Sequence, residues 1–435
     1  MTSPPARPDP LAVMRSRPYI GLLLIAGLLG APIAAVAYYF LKLIELMQQW
    51  VYTDLPTDVG FSAEPIWWPL LPLAVAGITV SLIVRFLPGR GGEVPVNGFH
   101  AGATPVPVTL PGVVVAALVS IGLGAVIGPE GPLVAIGGAL AYLLVGVLRK
   151  MPESARRVVG GSGSFAAIST LIGTPLAAAF LLMEASGLAG AMATAVLLPG
   201  LLAAGVGALI FTGLDSATGF GTFSLAIPNL PPAGTPTLSE FGYAIALGLV
   251  AAALCWLIRI TAMHVAPLLA RHLVLVTTFV GLATAGLAIL YAEVTGHASS
   301  DVLFSGQTAL PAVVDHASAY SVGALALLIG CKALAYSGAL VAFRGGPTFP
   351  AIFIGAAGGM LASHLPGLSL VAGVAMGLGA MTAGILRLPF TAVLVATLVL
   401  GSDGFAVIPL TIVAVVVCHV ATLRANSPVT DPTPP

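Results

Sequence analysis

Glu130 stands in Gly-Pro-Glu-Gly-Pro, residues 128–132, at the head of an apolar run. A charged side chain in hydrocarbon is expensive, so a carboxylate there calls for a purpose. Proline in the first turn of a helix costs little, because its missing N–H would be unpaired anyway. The N–H groups left free at such a start carry partial positive charge and attract anions. A second segment, Gly-Gly-Pro-Thr-Phe-Pro at residues 345–350, is built the same way. Pro132 and Pro350 therefore mark two helix N-termini that together suit a desolvated anion without a full positive charge. A cation site would draw on carbonyls or several carboxylates, and acids inside the apolar runs are few. Glu130 is itself an anion of the right kind for that place. Either it occupies the position of a permeating anion and leaves when protonated or displaced, which makes it a gate and a potential proton carrier, or it is a capping acid that only stabilises the helix start.

The elements that must position these residues are membrane helices. Of 435 residues, 58% are hydrophobic and only 7% charged, where soluble domains carry about 25% charged residues. Mean hydropathy is +1.06. The fold class expected is an all-α polytopic membrane protein, since the apolar runs are continuous rather than alternating as in a β-barrel. Apolar segments fall at 19–48, 66–88, 108–127, 131–148, 158–173, 175–187, 191–213, 238–268, 272–294, 318–342, 350–364, 368–386, 388–401 and 405–423. Several are shorter than the roughly 20 residues a full span needs. Short segments broken by Gly and Pro suggest helices that stop midway and line a cavity.

An internal repeat supplies the architecture. "GPEGPLVAIGGALA" (128–141) is similar to "GGPTFPAIFIGAAGG" (345–359), and "GTPLAAAFLLME" (173–184) to "RLPFTAVLVATL" (387–398). Pro175 follows Pro132 by 43 positions and Pro389 follows Pro350 by 39. The division expected is a disordered cytoplasmic N-terminus at 1–18, a first membrane half at 19–214, an external linker at 215–237, a second, inverted half at 238–424 and a short tail at 425–435. Lys and Arg set the orientation. Arg7, Arg15, Arg17, Arg85, Arg90, Arg149, Lys150, Arg156, Arg157, Arg259 and Arg271 read as cytoplasmic, whereas 215–240 has no Lys or Arg and reads as external.

Other side chains have plainer readings. Cys255, Cys331 and Cys418 read as buried small hydrophobes, and their spacing fits no metal motif. No pair among the seven histidines has metal-ligand spacing on one helix face. "GGSGS" (160–164) carries no Lys and follows no strand, so it is helix packing rather than a phosphate loop. Trp50, Trp67 and Trp68 read as interfacial aromatics. Arg344 either raises the positive potential near the anion path or snorkels to headgroups. A net charge of zero gives no pointer to nucleic acid.

At this point the motifs resemble a known family. "GPEGP" is similar to the G-(K/R)-E-G-P motif of CLC chloride channels and chloride/proton exchangers, "GGPTFP" to their G-G-x-F-x-P, "TPLAAAFLLME" to their N-A-P-L-A-G-x-x-F-x-x-E helix, and "GGEVP" (91–95) to their G-S-G-x-P. The resemblance covers about residues 19–424. It implies the CLC fold of two inverted halves, a homodimer, one anion pathway per subunit, Glu130 as gating glutamate, chloride or a similar anion as the transported ion, and no cofactor. The candidate anion-binding positions are Gly128, Gly131, Gly92, Thr348, Phe349 and Phe405. The departures are specific. Gly92 takes the place of the family's central serine, and Glu93 that of the next glycine, as a helix-start acid or an inner gate. Pro129 replaces the basic residue before the gating glutamate. Pro347 cannot donate to an anion, leaving the amides of Thr348 and Phe349. Gly404 or Phe405 falls where the central tyrosine is expected. The inner proton glutamate falls on Ala185, with Glu184 beside it as a structural acid or a substitute proton carrier. Backbone amides and apolar edges are then left to form the central site, with weaker anion binding expected.

These features lead to gated anion transport, with a proton-coupled exchanger as the alternative. An intramembrane enzyme would need a nucleophile–base pair or metal ligands at depth, and no such cluster has the spacing. A structural or receptor role leaves the repeat and Glu130 unexplained. A bare chain without cytoplasmic regulatory domains fits a prokaryotic inner membrane.

Overall fold

The computed structural model of the chain describes residues 10–99, 107–148, 151–187, 190–219, 221, 226–227 and 230–425. Arg7, His100, Arg149, Lys150 and the tail from 426 lie outside the described residues. Among the described residues the protein is helical, with one isolated antiparallel bridge between Gly128 and Gly346. The main helices are α1 (Arg17–Gln49), α2 (Leu70–Phe86), α3 (Leu110–Gly122), α4 (Glu130–Leu148), α5 (Glu153–Ile172), α6 (Pro175–Ser186), α7 (Gly190–Thr218), α8 (Leu238–Arg271), α9 (Leu273–Thr295), α10 (Ala309–Asp315), α11 (Val322–Ala342), α12 (Thr348–Ala362), α13 (Leu370–Leu386), α14 (Pro389–Val399), α15 (Gly401–Ala406) and α16 (Ile408–Ala425). Seven helical stretches among the described residues are long and apolar enough to cross a membrane, and α2, α6, α12, α13 and α14 are shorter apolar helices. The polytopic all-α class and its broken helices are therefore as the apolar runs indicate.

Local chemistry sets many of the boundaries. Thr174 caps α6 by accepting from Ala177 N at 3.1 Å, with Pro175 in the first position. Thr237 and Glu240 form a capping box on α8, and Ser321 and Ser369 cap α11 and α13. Such a side-chain oxygen satisfies an N–H that the helix itself cannot. Gly173 and Gly296 end α5 and α9 in the left-handed conformation, which costs glycine nothing.

Some expectations shift. Residues 10–18, read as disordered, hold a helical turn at Pro10–Met14 and the start of α1. The apolar run expected to end at 268 continues as helix α8 to Arg271, with Arg259 inside it. Trp68, read as interfacial, is buried, and its indole N–H donates to Val51 O at 2.9 Å. α10 and α15 are too short for an apolar period to show.

The chain gathers into two compact units. One lies within Met1–Lys42, His100–Leu110 and Leu133–Ser224. In it α5 packs on α7 and α6, and α4 meets α5 where Gly137 and Gly163 leave no room for a β-carbon on either helix. Gly30 of α1 packs directly on the backbone of Ala203 in α7. The other unit lies within Leu43–Phe99, Pro111–Pro132 and Leu225–Pro435. Here α12 packs along α13, and α13 on α8, α14 and α16. Gly355 faces Gly377, and Gly359 faces Gly373, again with no space for a side chain. The same device, glycine against glycine between a broken helix and its successor, thus recurs in α4–α5 and α12–α13. Small residues let membrane helices approach closely where lipid supplies no hydrophobic drive.

Candidate functional site

The two repeat motifs meet. Gly128 N donates to Gly346 O at 2.8 Å and Gly346 N to Gly128 O at 2.5 Å, so the segments preceding α4 and α12 are joined by one antiparallel bridge. Gly345 sits against Gly128 O and Ile127, and Gly131 against Gly345 O, at distances that exclude a side chain. α4 starts at Glu130 and α12 at Thr348. Pro132 and Pro350 are therefore the third residues of their helices, not the first, which leaves the amides of two earlier residues in each first turn.

Glu130 reaches across this joint. Its Oε1 accepts from Phe349 N at 2.8 Å, and the carboxylate also faces Thr348. The side chain is 1% exposed. Its Oε2 and the Thr348 hydroxyl are buried and make no further hydrogen bond of good geometry. β-Carbons on Gly128 or Gly346 would collide with the carboxylate. Glu130 thus faces the backbone N–H of its own helix start as well as that of Phe349. Its carboxylate is held at the N-terminus of α12, where partial positive charge favours an anion. Tyr336 of α11, which was not singled out from the sequence, donates its hydroxyl to Pro347 O at 2.6 Å and ties down the start of α12. A fully buried tyrosine one helix upstream carries no local motif to reveal it.

The remaining candidates divide. Thr348 and Phe349, read as anion-binding positions, lie at the Glu130 carboxylate. Gly128 and Gly131 lie there too, but by close approach, since the Gly128 N–H is already given to Gly346. Gly92 does not offer a free amide, because its N–H donates to Gly89 O at 2.9 Å in a tight turn. Its φ of +102° explains the glycine. Glu93 beside it is exposed. Phe405 on α15 is 62% exposed and so is no wall of a buried site. Gly404 is buried against Thr397 of α14. Glu184 is half-buried on α6, with Ala185 next to it. Arg344 does not snorkel: it is 5% exposed, and its guanidinium donates to the carbonyls of Arg90, Val341 and Phe343.

A buried cation braces the same unit. Lys332 of α11 is 0% exposed, and its ammonium donates to Asp301 O, Val302 O and Leu303 O at 2.8–3.1 Å while standing over the Phe353 ring of α12. Phe304 N in turn donates to Gly124 O, four residues before Gly128. Burial pushes the Asp301 carboxyl up, opposed by the Tyr320 hydroxyl and Lys332. No group of three His, Cys, Asp or Glu that could hold a metal occurs among the described residues.

Broken apolar helices whose N-termini converge on a buried anion define a multi-pass membrane protein of the anion-transporting class. The chain belongs to the voltage-gated chloride channel family, whose sequence profile matches residues 96–422. Its function is membrane transport of chloride or a similar small anion. The chain is 29% identical over 357 residues to "Putative ion-transport protein YfeO" of Escherichia coli (strain K12 / DH10B), covering 81% of each chain. Among solved structures it is similar to a slow cyanobacterial Cl⁻/H⁺ antiporter, with TM-score 0.75 and 19% identity over 93% of this chain and 94% of that one. It is also similar to a CLC-type fluoride/proton antiporter, with TM-score 0.70 and 21% identity over 93% and 95%. These two likenesses show a shared fold. Bacterial relatives and the apolar helices make it a multi-pass inner-membrane protein.

Proposed function

We propose that the Glu130 carboxylate is the gate of the anion path. The observation that carries this reading is the bond from Phe349 N to Glu130 Oε1: the amide that would hold a permeating anion holds the protein's own anion instead. A carboxylate and a halide then compete for one place, and protonation removes the carboxylate's claim on it. Thr348 and Phe349 bind the anion through backbone N–H groups, while Gly128, Gly131 and Gly346 give the carboxylate and the anion room. Each subunit of a homodimer, which the family resemblance implies, carries a complete Glu130–Phe349 site.

The leading reading is passive, gated movement, because Ala185 stands where an exchanger of the family keeps its inner proton acid. Proton-coupled exchange is the second reading, supported by the two solved structures of this fold, a Cl⁻/H⁺ antiporter and a fluoride/proton antiporter. The test is chloride efflux from liposomes with external pH recorded together. Efflux that needs a potassium ionophore and moves no proton uphill supports the gated path. A chloride gradient that drives protons uphill establishes exchange, and requires a proton route other than Ala185.

A further inference from the structure

Three sulfur atoms that lie far apart in sequence meet within the helix bundle. Cys255 is on α8, Met381 on α13 and Cys418 on α16, and all three are buried. Cys255 Sγ lies 3.6 Å from Met381 Sδ, and both cysteine sulfurs face Gly384. The meeting point is kept open by Gly384: a β-carbon there would stand 2.5 Å from Cys255 Sγ and 3.0 Å from Cys418 Sγ. Cys255 and Gly384 also line a cavity with Pro95, Gly98, Leu340 and Arg259. Arg259 follows Cys255 by one helical turn, and so shares its face.

A single buried cysteine acts as a small hydrophobe. Two thiols and a thioether brought together from three helices beside a cavity are a ligand set of a particular kind. Thiolate and thioether select soft ions such as Cu(I). We propose that Cys255, Cys418 and Met381 form a binding site for a soft monovalent cation, Cu(I) or Ag(I), loaded from the cavity. On binding, both S–H bonds break, two S–metal bonds form, and the two protons leave through the cavity to water. No electron is transferred. Two thiolates and one monovalent ion leave one net negative charge, which the Arg259 guanidinium in the cavity lining offsets. Met381 Sδ supplies the third, neutral ligand.

The test is anaerobic titration of the purified full-length protein with Cu(I) held by a chromogenic chelator. The wild type is expected to withdraw one Cu(I) per chain, and Cys331→Ala to do the same. Cys255→Ala, Cys418→Ala and Met381→Leu should each bind at least about tenfold more weakly, a loss of the size seen when one supporting group is taken from a metal site. Retained chloride efflux and an unchanged size-exclusion profile show that a variant is folded, and Met381→Leu carries the test where a cysteine variant is not. Wild-type uptake no greater than that of Met381→Leu, or an equal loss in Cys331→Ala, overturns the proposal.

Discussion

Glu130 is buried, yet only one of its oxygens is bonded with good geometry. A site that held the carboxylate permanently would satisfy both, since an unpaired buried acceptor costs about 1–3 kcal/mol. Glu130→Gln keeps the shape and removes the charge. That variant should fold, and its efflux should lose the rise on acidification expected of the wild type; an unchanged pH profile in liposomes would make Glu130 a structural residue. Gly346→Ala attacks the same place from the other side. Its β-carbon collides with the carboxylate, so the variant should be destabilised by about 1–3 kcal/mol, as overpacked sites are, and its efflux should respond less to pH. A melting curve and a flux assay read the two effects separately. Glu64, in the connection before α2, titrates for a different reason. Burial pushes its carboxyl from 4.5 to about 7, and its Oε1 has no hydrogen-bond partner. The folded state holds this proton more tightly than the unfolded chain, so its contribution is fully present below the ordinary value and is lost as pH rises through about 7. The melting temperature should therefore fall over that interval, and Glu64→Gln should flatten that part of the curve.

At the scale of elements, the site depends on two joints. The first is the Gly128–Gly346 pair, which binds the entry of α4 to that of α12. Gly-Pro spacing points to both helix starts but not to the pairing, because 218 positions separate the two glycines. The second is the Lys332 ammonium, which gathers the carbonyls of 301–303 beneath the ring of Phe353. Lys332→Met keeps length and apolar bulk but withdraws the donor. The variant should lose about 1–3 kcal/mol, since buried carbonyls are left unpaired. It should also be cut faster by protease between 299 and 321, and an unaltered cleavage rate would remove the brace from this account. Glu93 and Phe405 show the limit of motif alignment. Phe405 falls where an anion ligand is expected and Glu93 where an inner gate is one of two readings, yet both are exposed, Glu93 beside a tight turn and Phe405 on a short helix. Alignment places residues along the chain, whereas exposure depends on neighbours far away in it.

For the whole molecule, orientation is a matter of charge. Arg156 and Arg157 sit at the start of α5, and no Lys or Arg occurs between 215 and 240. With the positive side inward, Ser216→Cys at the exposed end of α7 should react with a membrane-impermeant maleimide on intact cells. Arg157→Cys should react only after permeabilisation. The native cysteines are buried and give low background. The reverse pattern would invert the topology.

Hydropathy alone was enough for the class and for most helices, because spans in lipid must be apolar and satisfy their backbone internally. The repeat and Glu130 were also legible, since Pro and Gly at a helix start act through local backbone chemistry. Three things needed the tertiary structure. One is the reach of Glu130 to the amide of Phe349, 219 positions further along the chain. Another is the consumption of the Gly92 and Gly128 N–H groups by neighbours. The last is the meeting of Cys255, Met381 and Cys418. Each depends on which residues are brought together across long stretches of chain, and one-dimensional spacing carries no record of that.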